Sequence, residues 1–193
     1  MSPFRRIALG VLIGAAMTTG TIDQATGKSS YEAADTGPDG QRDFDFELGN
    51  WITKVRVLRN PLSGQTPDWA EYRGTSVVRP LLDGRANFVE LKVEGQAGRI
   101  EGGSLRLYNP QSRQWSLNYA SLGNGLLTAP VYGGFDGRGR GAFFGQDTLG
   151  GRIILVRFII TPVSKDEIRF EQAYSADGGA TWEMNWIATD TRR

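Results

Sequence analysis

The 193-residue chain contains no cysteine and no histidine. It therefore has no disulfides, no thiolate or imidazole metal site, no His-ligated haem, no Ser-His-Asp triad and no cysteine nucleophile. An excess of charge of one sign is also lacking. Twenty-two Lys and Arg against twenty-one Asp and Glu leave a net +1, too near neutral for a nucleic-acid or polyanion binder. No apolar run reaches the roughly 20 residues a membrane-spanning helix needs. What is abundant is glycine, at 26 residues about twice what the usual frequency of about 7% would supply. With 39% apolar and 22% charged residues, the composition is that of an ordinary globular domain rich in tight turns.

Arg5 and Arg6 precede an apolar run at 7–17, which gives way to Thr18, Thr19 and Gly20. This is the pattern of a secretory signal peptide over 1–20, with cleavage near Gly20 and no stable membrane span afterwards. Cleavage leaves twenty basic and twenty-one acidic residues, a net charge of −1. Export without cysteines predicts a periplasmic or secreted protein. Residues 21–42 hold only Ile22 and Tyr31 as large apolar side chains. Such a stretch cannot offset its ordering entropy and reads as a disordered tether before a domain at 43–193.

That domain alternates short β-rich segments with turn chemistry. The segments are 51–59, 69–79, 86–93, 103–109, 114–120, 130–136, 141–148, 152–160, 167–175 and 181–189. Between them stand Asn60-Pro61, Asp83-Gly84, Asn109-Pro110, Gly123-Asn124-Gly125, Asp136-Gly137, Gly150-Gly151 and Asp177-Gly178-Gly179, where Gly or Asn supplies positive φ and Pro a fixed φ. No long helical period follows the leader. The prediction is an all-β antiparallel meander of about ten strands closed into a barrel, which removes exposed edges, with a two-sheet sandwich as the alternative.

Hairpin symmetry predicts the facing residues. Centring the last hairpin on Gly178 sets Glu171 opposite Asn185, Phe170 opposite Trp186 and Tyr174 opposite Trp182. Centring the preceding one near Ser164 sets Arg157 opposite Glu171, so that Arg157, Glu171 and Asn185 share a face whose reverse carries Val156, Phe158, Phe170, Gln172, Met184 and Trp186. Around Asn109-Pro110, Arg106 pairs with Ser116 and Ser104 with Asn118, against a reverse of Leu105, Leu107, Trp115 and Leu117. A slip of one residue would exchange the faces. A polar row turned outward simply meets water; turned inward, it supplies a few placed polar groups to a chamber.

The stretch Asp43-Phe44-Asp45-Phe46-Glu47-Leu48-Gly49-Asn50-Trp51, with Leu105-Arg106-Leu107-Tyr108-Asn109-Pro110, Gln114-Trp115-Ser116, Val156-Arg157-Phe158, Phe170-Glu171-Gln172-Ala173-Tyr174 and Thr181-Trp182-Glu183-Met184-Asn185-Trp186, resembles an uncharacterised bacterial family. That family is a domain of unknown function with a lipocalin-like (calycin) barrel. The resemblance spans roughly 43–190 and implies the fold, without a settled activity. It also implies that Gly49-Asn50-Trp51 closes one barrel end, with Arg192 or Arg193 as a basic counterpart to Trp51.

Ser175-Ala176-Asp177-Gly178-Gly179-Ala180-Thr181-Trp182 fits the Asp-box hairpin of sialidase propellers. It occurs once, without a blade repeat, and reads as a self-bonded turn whose Trp182 packs inward. Gly137-Arg138-Gly139-Arg140-Gly141 lacks the strand-to-helix setting of a dinucleotide loop and reads as a basic hairpin tip. Three functions stay open. The first is a small-molecule binding barrel for an apolar or amphipathic ligand, with Arg106, Asn118, Arg157, Glu171, Asn185 and Trp186 as candidate contacts. The second is a lyase, isomerase or hydratase without cofactor, using Glu90 or Glu171 as base and Tyr108, Tyr119 or an arginine to stabilise developing charge. The third is a structural or assembly module of the cell envelope. No metal and no cofactor is implied.

Overall fold

The computed structural model describes residues 39–193. The predicted signal peptide and most of the predicted tether lie outside the described residues. The last of the tether, 39–42, turns against the domain: the Tyr108 hydroxyl donates to the Asp39 carbonyl, and Trp115 Nε1 donates to the Gly40 carbonyl at 2.9 Å.

Eleven strands follow: β1 (Gly49–Leu58), β2 (Trp69–Leu81), β3 (Ala86–Gly95), β4 (Gly98–Asn109), β5 (Gln114–Ser121), β6 (Leu126–Leu127), β7 (Val131–Phe135), β8 (Gly141–Leu149), β9 (Arg152–Ser164), β10 (Glu167–Ser175) and β11 (Glu183–Arg192). Ten of them form a closed antiparallel ring in chain order, with β5 joined to β7 and β11 returning to β1. The two-residue β6 only lengthens the edge of β5. The fold is thus the predicted closed barrel rather than a sandwich. Eight strands make a barrel just wide enough for side chains or one small ligand, so a ten-stranded ring has room to spare.

The base of the barrel is filled. Before β1 a 3-10 turn, Asp45–Glu47, carries Phe44 and Glu47 inside the ring. Phe44 meets Trp115 and Phe135 edge-on, each with ring centroids 4.9 Å away, and stacks on Phe143 at 6.0 Å. Trp51, 0% exposed, donates from Nε1 to the Glu47 carbonyl at 2.7 Å. The Arg192 guanidinium lies 4.1 Å from the Trp51 ring centroid and donates to the carbonyls of Leu48 (3.1 Å) and Phe46 (2.9 Å). Arg192 is therefore the basic counterpart that the barrel resemblance implied. Gly49 makes this approach possible: its φ is +126°, and a Cβ there would lie 3.2 Å from the Arg192 guanidinium.

The hairpin registers depart from simple symmetry. On β10 and β11, Phe170 faces Ala188, Glu171 faces Ile187 and Gln172 faces Trp186; past a bulge, Ala173 faces Met184 and Tyr174 faces Glu183. On β9 and β10, Ala173 faces Arg157 and Glu171 faces Ile159, so the predicted Arg157–Glu171 and Glu171–Asn185 pairs do not form. Both shifts are of two residues through most of the ladder, which leaves the faces unchanged. At β4–β5 the shift is one residue: Arg106 faces Leu117, Ser104 faces Tyr119 and Asn118 faces Leu105. Here the faces exchange. The cause is the turn at 110–113, where Arg113 takes a φ of +53° and Asn109 Oδ1 accepts from the backbone N–H groups of Gln111 (2.9 Å) and Ser112 (3.3 Å).

Trp51→Ala should destabilise the domain by about 3–5 kcal/mol, the range for emptying a large buried aromatic site. Urea unfolding monitored by circular dichroism measures it; a loss below about 1 kcal/mol would show that Trp51 does not plug the base.

Candidate functional site

Above the aromatic base, an ion pair forms a floor. Arg106, on β4, donates from its two terminal nitrogens to both carboxylate oxygens of Glu47, at 2.5 and 3.0 Å, with both side chains almost wholly buried. The guanidinium also lies 4.3 Å from the Phe44 ring centroid, so an aromatic face supports it from beneath.

Beside this pair, a chain of hydroxyls leads to a second carboxylate. Thr53 on β1 and Ser76 on β2 share a 2.8 Å hydrogen bond, and Ser76 Oγ donates to Asp190 Oδ2 on β11 at 2.8 Å. Asp190 is 3% exposed. Burial pushes its carboxyl up to about 6, against the opposing effect of the neighbouring Thr53 and Ser76 hydroxyls; Glu47 adds to the rise, and Arg106 opposes it least.

Over the floor stands a cavity of about 370 Å³, within the roughly 300–1,000 Å³ of ligand pockets. Its wall is mainly apolar, with Phe158, Phe170, Trp186, Val89 and Leu117 among the lining residues. Four buried polar atoms on lining residues have no hydrogen-bond partner: Arg106 Nε, Tyr119 Oη, Asn185 Oδ1 and Asp190 Oδ1. Two further such atoms, Asn87 Oδ1 and Arg157 Nε, belong to residues outside the lining; buried polar groups are paired in the great majority of cases. Burial raises the Tyr119 and Tyr174 hydroxyls above their ordinary pKa, leaving both protonated at neutral pH. Gly102 makes room for Tyr119, because a Cβ there would collide with the phenol oxygen.

The opening lies at a thin seam. β5 and β7 share three residue pairs, and β8 beyond Phe144 pairs only with β9. The exposed lining residues Thr128, Ala129, Gln146 and Asp147 gather at this seam.

Of the six candidate contacts, Arg106, Asn185 and Trp186 line the cavity. The bulge in β10–β11 lets the adjacent residues Asn185 and Trp186 both do so. The other three lie on the outer wall. Asn118 is turned out by the one-residue shift of β5 and bonds the Thr128 carbonyl at 3.4 Å. Arg157 lies over the Trp182 ring, 4.6 Å from its centroid, and Glu171 takes the Arg169 guanidinium at 2.8 Å. The row of Arg157 and Glu171 is the outward one because its reverse, Val156, Phe158, Phe170 and Gln172, supplies the lining. Trp182 likewise packs on the outer wall, not inward, beside Arg157 and Phe144. The Asp box is the self-bonded turn expected: Asp177 accepts from the Thr181 hydroxyl at 2.6 Å and backbone N–H at 2.9 Å, which hold its carboxyl down to about 2. Glu90 pairs with Lys92 and Arg79 on the surface, and Tyr108 belongs to the base.

Glu47, Thr53, Ser76 and Asp190 escaped the sequence reading. Asp190 follows Trp186 and Ala188 at intervals of two, and a last strand taken one residue beyond 189 would have included it. Glu47 arrives on a non-strand segment, for which alternation gives no signal.

Two measurements check this geometry. Arg106→Met should destabilise by about 3–5 kcal/mol, because it strands the Glu47 charge, and adding Glu47→Gln should restore most of the loss; additive effects in urea unfolding would refute the coupling. Asp190 binds its proton more tightly folded than unfolded, so stability should fall as pH rises from about 4 to about 6 and stay reduced above that, by up to about 3 kcal/mol. Asp190→Asn should remove this fall and be the more stable protein at neutral pH. Parallel pH profiles for the two proteins would contradict it.

Among the described residues no cluster of three or more acidic side chains is placed to hold a metal ion, and no helix is long and apolar enough to cross a membrane. No family model matches the chain, and no curated protein sequence is similar to it. Solved structures are. EF1p2_mFAP2b bound to DFHBI aligns at a TM-score of 0.43 and 13% identity, over 80% of this chain and 99% of that one. A fluorescence-activating β-barrel designed de novo aligns at 0.42 and 14%, over 77% and 95%. The S-type phycobiliprotein lyase CPES from Guillardia theta aligns at a TM-score of 0.53 and 11% identity, over 78% of this chain and 90% of that one. At such identity the likeness to the lyase is one of fold, and it agrees with the closed antiparallel ring of strands.

Proposed function

We propose that this protein is an exported binding barrel that takes an apolar or amphipathic small molecule into its cavity. One observation carries the reading: an apolar chamber whose lining residues carry four buried, unpartnered polar atoms, Arg106 Nε, Tyr119 Oη, Asn185 Oδ1 and Asp190 Oδ1. Apolar walls supply affinity by surface burial, and the few polar atoms supply orientation. A guest that pairs them removes a desolvation cost of about 1–3 kcal/mol per group. The open volume counts against an envelope module whose lumen is only a packed core. The chemistry in the name of the phycobiliprotein lyase concerns that protein and is compatible with this reading. Export is supported by the basic, apolar and small-residue order of 5–20.

A second reading, proton transfer on the bound molecule, is favoured by the Asp190 carboxyl near 6 at the cavity wall. In that reading Asp190 takes the role of base, since Glu90 and Glu171 lie outside the chamber.

Native mass spectrometry of protein purified from its own envelope should show a retained small molecule. Asn185→Leu should lower its occupancy about tenfold, the equivalent of one good hydrogen bond. Glu171→Gln, on the outer wall, should leave it unchanged. Equal loss in both variants, or protein that never carries a guest, would remove the proposal.

A further inference from the structure

The cavity has an unbalanced charge. Its ionisable lining residues with fixed sign are Glu47, Asp147, Asp190 and Arg106, three acids to one base. Arg106 is already committed through two nitrogens to both oxygens of Glu47. Asp190 is left without a cation of its own, and the hydroxyl chain from Thr53 and Ser76 reaches only its Oδ2. Its Oδ1 and the Asn185 Oδ1 are both buried, both acceptors and both unpartnered. Asp147 adds a further carboxylate at the exposed seam.

We infer that the chamber selects an amphipathic amine, whose ammonium or amidinium group meets Asp190 at the floor while its apolar body lies against Phe158, Phe170 and Trp186. This deepens the binding reading above and rests on it. A cation supplies the donor that Asp190 Oδ1 lacks and the charge that Asp190 lacks, and the aromatic faces favour it further. An anionic head would meet the Glu47 and Asp190 carboxylates, with Arg106 Nε and the Tyr119 hydroxyl as the unpartnered buried donors in its favour. A purely apolar guest would seal the orphan acceptors away from water without pairing them. Arg106 Nε and Tyr119 Oη suit a hydroxyl or carbonyl carried beside the amine.

The groups facing Asp190 are Thr53 from β1, Ser76 from β2, Glu47 from the 3-10 turn and Arg106 from β4, while Ile168, opposite it on β10, does not titrate. Protonating Asp190 therefore removes the attraction. Three probes of one chain length separate the possibilities: n-octylammonium, 1-octanol and octanoate, titrated calorimetrically into the full chain at about pH 7.5. Octylammonium should bind about tenfold tighter than octanol, with octanoate weakest. Asp190→Asn should bring octylammonium down to the affinity of octanol and leave octanol unchanged. Lowering the pH of the unaltered protein to about 5 should shrink the same preference, a check that needs no variant. Octanoate binding as well as octylammonium, or a preference that survives both treatments, would overturn the inference while leaving a binding barrel intact. If none of the three binds, the binding reading falls and this one with it.

Discussion

The ion pair between Glu47 and Arg106 joins the part of the chain that enters the barrel to the wall that surrounds it. Removing two charges from water costs several kcal/mol per ion, and such a pair is tolerated only with good geometry and further support. Here the contact is bidentate and lies on the Phe44 ring. The partners are 59 residues apart in sequence. They meet only after β4 has taken its place in the ring and the 3-10 turn has entered below it. The pair thus couples closure of the base to closure of the wall. It also divides the interior: aromatic rings pack solidly beneath, and open volume stands above.

The upper half of the barrel is organised differently. Below the floor Trp51, Trp115 and Arg192 have partners in backbone carbonyls. Above it, a carboxylate, an amide, a phenol and a guanidinium nitrogen each keep an unmet hydrogen-bonding capacity. Such groups lower stability in the empty protein, most of all Asp190, whose charge is buried without a counter-ion. A fold this extensively hydrogen-bonded along its strands can sustain that cost, and sites that bind commonly trade stability in this way. The seam between β5, β7 and β8 belongs to the same half. With few ladder bonds across it, it is the part of the wall that opens with least loss.

Much of this was legible in the residues. Turn signals at Asn109-Pro110, Asp136-Gly137, Gly150-Gly151 and Asp177-Gly178-Gly179 separate the strands, because positive φ and fixed φ are local requirements that few residue types meet. The apolar row of Val156, Phe158 and Phe170 was visible as a single face for the same reason that alternation is local. Register was less accessible. The shifts of two residues at β9–β10–β11 left faces intact, while one residue at the turn 110–113 exchanged them and separated Asn118 from Arg106. Arg157 and Glu171 share a face, yet only closure of the ring decides whether that face looks inward or to solvent.

Strand order, turn positions and the need for a closed all-β wall follow from the sequence alone, since each depends on residues close together along the chain. Tertiary structure alone decided that Glu47 meets Arg106, that Thr53 and Ser76 lead to Asp190, and that Asn185 and Trp186 share the chamber. Those contacts join β1, β2, β4, β11 and the 3-10 turn across the interior of the barrel. Their geometry depends on bulges, registers and curvature that accumulate around the whole ring, and no local pattern of residues encodes their sum.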